Sequence, residues 1–161
     1  MDCHATARFL AMFLIPMLLM LTTSCAGSGR REPEDRVDVL LHEGGRALRT
    51  DGDTGGLVQS AVRSLNTCDG MYELVVTRET IERLRADERC LEITFPVPRE
   101  VVAGGREKLK ILRLLIPMTG RFAERDQMTF FCGFPAYSSG PYLRTEGLGA
   151  LVAQVGCLEW H

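Results

Sequence analysis

Apolar positions recur along this chain at two different periods, and the switches between them mark out the elements. Val37, Val39, Leu40 and Leu41 form an aliphatic stretch closed by Gly44-Gly45, which predicts a first strand over Val37 to His42. Leu57, Val58, Ala61, Val62 and Leu65 then fall on one face at the helical period, with Gln59, Ser60, Arg63 and Ser64 opposite. That predicts a helix over about Gly56 to Leu65, opened by a cap at Asp53 or Thr54. Tyr72 to Thr77 reads as a strand covered on both sides, because Leu74, Val75 and Val76 are adjacent. Thr77 is placed to cap a charged helix, Arg78 to Glu88, in which Ile81 and Leu84 face the core and Glu79 and Arg83 sit one turn apart.

The second half is richer in strands. Leu91, Ile93, Phe95 and Val97 alternate with Glu92, Thr94 and Pro96, the pattern of a half-buried strand. Pro96 and Pro98 cannot donate ladder hydrogen bonds, so this strand is expected to end at an edge or leave the sheet there. Leu109 to Ile116 is apolar at both parities and belongs in the middle of a sheet. After a loop over Met118 to Gln127, Met128, Phe130, Cys132 and Phe134 share one face of a return strand. Pro135 to Tyr142 reads as a turn-rich loop. Leu148, Leu151, Val152 and Val155 predict a last helix stopped by Gly156, although Gly147 and Gly149 weaken it and leave a strand as the alternative. The order β, α, β, α, β, β, β, α predicts an α+β fold. The expected form is a mostly antiparallel sheet with two or three helices packed on one face, in one domain spanning 36–161.

What precedes that domain changes the setting. Phe9 to Leu21 is unbroken apolar sequence apart from Pro16, shorter than the roughly 20 residues that cross a bilayer, and Thr22, Thr23 and Ser24 follow at once. This is the layout of a secretory signal peptide over 1–24. Small residues, then Cys25, then Ala26-Gly27 resemble the lipobox of bacterial lipoproteins, with Thr22 three residues before the cysteine and Leu21 one further back. The resemblance covers the leader alone. It implies a diacylated Cys25 as the mature N-terminus, attachment to the membrane through that lipid, and, with Ala26 next, an outer-membrane or cell-envelope location. Ordinary cleavage after Ala26 would give a soluble periplasmic or secreted protein instead. Residues 25–35 are small and charged, as a tether would be.

Composition narrows the function by exclusion. The net charge is −2 and the basic residues form no block, so a nucleic-acid partner is not expected. Cys68, Cys90, Cys132 and Cys157 remain after the leader, an even number in an oxidising compartment, and two disulfides are expected. Their spacing lacks any C-x-x-C, so neither a zinc site nor another metal or cofactor is expected. Asp51-Gly52-Asp53 starts like a calcium loop but places Gly55 and Val62 where ligands are needed. No nucleophile elbow or phosphate-binding glycine motif is present. His42 beside Glu43 is the only histidine of the domain body with an acidic neighbour, and a triad of Ser138, His42 and Asp51 has nothing in the sequence to assemble it. Glu73 and Glu92 sit on strands where paired catalytic carboxylates could, without a spacing that marks them. Tyr137 and Tyr142 with Arg144 are the candidate recognition residues, since aromatics among Ser and Gly suit protein or glycan surfaces; Arg121 and Arg125 form a second, more ordinary candidate. The reading is therefore an exported, lipid-anchored envelope protein with a non-catalytic binding or structural role, its partner an envelope protein or glycan. The alternatives are a small envelope hydrolase using His42 and a secreted inhibitor-like module.

Overall fold

The computed structural model describes residues 36–161; the leader, Cys25 and the tether lie outside the described residues. The domain is built on one seven-stranded sheet in which every pair is antiparallel. Its strands are β1 (Asp38–Glu43), β2 (Arg46–Arg49), β3 (Gly70–Met71), β4 (Cys90–Ala103), β5 (Glu107–Pro117), β6 (Met128–Gly133) and β7 (Tyr137–Arg144), in the order β2-β1-β4-β5-β6-β7-β3. The helices are α1 (Gly55–Asn66), α2 (Arg78–Asp87) and α3 (Leu148–Gly156). No helix among the described residues is long and apolar enough to cross a membrane.

The helices divide between the two faces. Leu57, Val58, Ala61 and Leu65 of α1 and Leu148, Leu151 and Val155 of α3 pack with Leu41, Leu91, Ile93, Leu114, Ile116 and Phe130 of the sheet. This is the larger core, and the contact of α1 with α3 completes it. Side chains of opposite parity face the other way. Cys90, Leu115 and Phe131 form a smaller cluster with Ile81 and Leu84 of α2, together with Phe122. The expectation that all helices cover one face therefore gives way to a split. The reason is the double-sided apolar pattern of β5 and β6, which demands cover on both sides.

Local differences have local causes. Pro96 and Pro98 do not end β4; the strand runs on to Ala103, and the register with β5 jumps between Thr94 and Arg99 to absorb the missing donors. The 72–77 run makes no strand: Tyr72 and Val76 turn onto the α2-side cluster, while Val75 is 81% exposed. Pro135 to Tyr142, expected as a loop, is mostly strand β7. At the far edge, the backbone of His161 exchanges two hydrogen bonds with Arg49, at 2.9 and 3.0 Å, and so caps β2.

The two expected disulfides are not formed. All four cysteines are free thiols, with no pair at bonding distance. The sheet separates only Cys90, in the α2-side cluster, from the others: Cys68 and Cys132 both belong to the larger core on the opposite face, and Cys157 is exposed beyond α3.

Candidate functional site

The α2 side of the sheet carries the polar centre of the molecule. Parity on β4 points Cys90, Glu92 and Thr94 toward α2, and parity on β1 does the same for His42, which lies opposite Cys90. Thr77 starts α2 with its hydroxyl accepting from Thr80 N at 3.1 Å, and the helical period then puts Ile81, Leu84 and Arg85 on the sheet side. Arg85 reaches down to Glu92. Tyr137, the first residue of β7, reaches across from the other end of the face.

Glu92 is only 4% exposed, yet each of its carboxylate oxygens has two partners. Oε2 lies 2.7 Å from His42 Nε2 and accepts from Arg85 Nε at 3.0 Å. Oε1 accepts from Tyr137 OH at 2.8 Å and from Arg85 Nη2. Burial pushes the Glu92 pKa up, but the bonds from His42, Arg85 and Tyr137 and the charge of Arg85 outweigh it and hold the carboxyl at about 2. Burial and the Glu92 charge together push the Tyr137 hydroxyl well above its ordinary range. The same arrangement places the Arg85 guanidinium 5.5 Å from the Tyr137 ring centroid.

Above this network lies an open groove of about 380 Å³. α2 contributes Arg78, Ile81, Glu82 and Arg85; β5 contributes Arg113; Ala136 and Tyr137 close the other wall. Arg113 has the parity of Leu115 and stands between Thr94 on β4 and Gly133 on β6. Small residues on both sides leave the sheet surface open around it. Gly133 is dictated by the turn, since a Cβ there would lie 2.8 Å from the backbone of Ala136.

The arrangement does not supply a nucleophile. Cys90 is fully buried, its thiol lies 3.4 Å from the Leu84 carbonyl, and burial pushes it up to about 12. His42 is 8% exposed and does not line the groove. Its ring bonds Glu92, whereas Asp51 lies 3.6 Å from His161 at the β2 edge, so Ser138, His42 and Asp51 are not assembled. No cluster of metal-ligating side chains is present among the described residues.

The recognition candidates separate in the same way. Tyr137 faces the groove side. Tyr142 faces the larger core, 4% exposed, and its hydroxyl donates to Glu107 at 2.9 Å. Arg144 bonds Ser64 Oγ at 3.2 Å and Thr67 Oγ1 at 3.0 Å, tying β7 to the end of α1. Arg121 lies over the Phe122 ring, and Arg125 sits in a short turn at φ 53°. Sequence reasoning touched Glu92 only as an unmarked strand carboxylate and missed Arg85 and Arg113. Comparison with protein-family models, curated proteins and solved structures finds no match for the chain.

Proposed function

We propose that this protein is a non-catalytic binding protein of the cell envelope, exported by its leader, held to the membrane through lipid on Cys25, and using the α2 groove at Tyr137 as its binding surface. One observation carries the binding part: the groove wall is pre-positioned. Tyr137 and Arg85 both line the groove, and both are fixed from beneath by the fully bonded Glu92. A side chain already held in one rotamer loses little entropy when a partner arrives, which favours recognition. The unreactive chemistry beneath it favours binding over turnover. The leader and its cysteine support the location.

The test is crosslinking in the native envelope. A photo-reactive phenylalanine analogue placed at Ala136, an exposed groove residue, is expected to capture a discrete partner. The same analogue at Gln59, exposed on α1, is expected to capture none. Identical patterns from the two sites, or no product from Ala136, would count against the groove.

A further inference from the structure

The charges lining the groove do not cancel. Arg78 is paired with Glu82 at 2.6 Å, and Arg85 with the buried Glu92. Arg113 lines the same groove with no ion pair or side-chain hydrogen bond among the described residues. One positive charge is left over. Arg85 bonds Glu92 through Nε and Nη2, and these bonds leave its Nη1 free to donate elsewhere. The rest of the lining offers apolar surface from Ile81, Ala136 and the Tyr137 ring.

We infer that the groove takes a singly charged carboxylate carrying an apolar or aromatic body. The carboxylate meets Arg113 and the free edge of Arg85, and the body lies on Ile81, Ala136 and the Tyr137 ring. A guanidinium matches a carboxylate in plane and spacing, and a second acidic group would find no second uncompensated cation. A neutral ligand would leave Arg113 desolvated and unpaired, and a cation would meet it with the same sign. The groove volume of about 380 Å³ lies within the range of small-ligand sites. The inference rests on the groove being a binding surface and adds the class of ligand.

Two acids separate the sources of such a group: 4-phenylbutyrate for a free small molecule, and N-acetyl-Ala-Phe for a peptide C-terminus. Each is titrated into the purified mature protein by calorimetry beside its carboxamide. Saturable binding of at least one acid is expected, with its amide weaker by about tenfold or more. The acid that binds more tightly identifies the source. Arg113→Gln is expected to weaken the acid by about tenfold, Arg113→Lys by less, and Arg106→Gln not at all. Arg113 is exposed and holds nothing in place, so each variant's unfolding midpoint is expected to match the parent's. Equal binding of acid and amide, unchanged binding by Arg113→Gln, or no saturable binding of either acid would overturn the carboxylate assignment. Crosslinks from Ala136 persisting beside such a result would leave the binding surface standing and reject the ligand class alone.

Discussion

Replacing Glu92 by glutamine tests the polar centre most directly. The substitution keeps the volume and turns one acceptor into a donor. Four donor contacts now converge on the carboxylate, two of them from a guanidinium. In the variant, the amide nitrogen meets donors and Arg85 loses its counter-charge. Removing one partner of a buried pair costs about 3–5 kcal/mol. The pKa gives a second, independent size. A carboxyl lowered from 4.5 to about 2 contributes on the order of 3 kcal/mol at neutral pH. Because the folded value is the depressed one, that contribution is complete above about pH 5 and is lost as pH falls toward 2. About 1 kcal/mol of it would remain at pH 3. Urea unfolding of parent and Glu92→Gln at pH 7 and pH 3 reads both numbers. The gap between the two proteins should be about 3 kcal/mol at pH 7 and shrink by about two thirds at pH 3. Taking the difference cancels the other carboxylates, which titrate in both proteins. A gap below about 1 kcal/mol at pH 7, or one equal at the two pH values, would refute the claim that Glu92 is charged and fully bonded in the folded state.

Two other outcomes follow from the same geometry. Alkylation of the native protein with peptide mapping should label Cys157 first and leave Cys90 and Cys132 unlabelled until unfolding, since both are fully buried and pushed up to about 12; loss of two hydrogens between any pair would contradict the free thiols. Gly140→Ala should cost about 1–3 kcal/mol, measured by thermal or urea unfolding, because Gly140 sits at φ 96° and a Cβ would approach the Phe130 carbonyl to 2.6 Å; an unchanged midpoint would show that β7 can shift to accept it.

The helices and the central strands were legible because their signals are local. The face of α1 was read from five side chains, and Thr77 as the cap of α2 needed only its own neighbourhood. Strand β7 was hidden by Ser138, Ser139, Gly140 and Pro141, residues that locally favour turns. It forms because β6 offers a ladder and because Tyr142 has a core to enter. The 72–77 run failed in the opposite sense. Its residues suit a strand, but only Gly70 and Met71 pair with β7 before the chain crosses to the α2 side. Glu92 was passed over for a similar reason. Alternation marks it as a wet position, and nothing near it in sequence announces that a helix will close over it. The partners come from positions 42, 85 and 137, so the site exists only after the sheet has ordered them.

The two faces of the sheet then divide the work. The larger core, with α1 and α3, is almost wholly apolar and supplies most of the buried surface. The α2 side has a small apolar cluster and depends on the Glu92 network to fix its outer half. Apolar residues in place of both Glu92 and Arg85 would avoid the charge cost, and replacing such a pair whole is often neutral or stabilising in other proteins. What they would not do is hold Tyr137 by its hydroxyl. The polar network is therefore better understood as fixing the position of the groove wall than as adding to stability. A variant in which Glu92 and Arg85 are both made apolar is therefore expected to keep an unfolding midpoint near the parent's and to lose the calorimetric difference between acid and amide, which separates the two roles more cleanly than removing Glu92 alone.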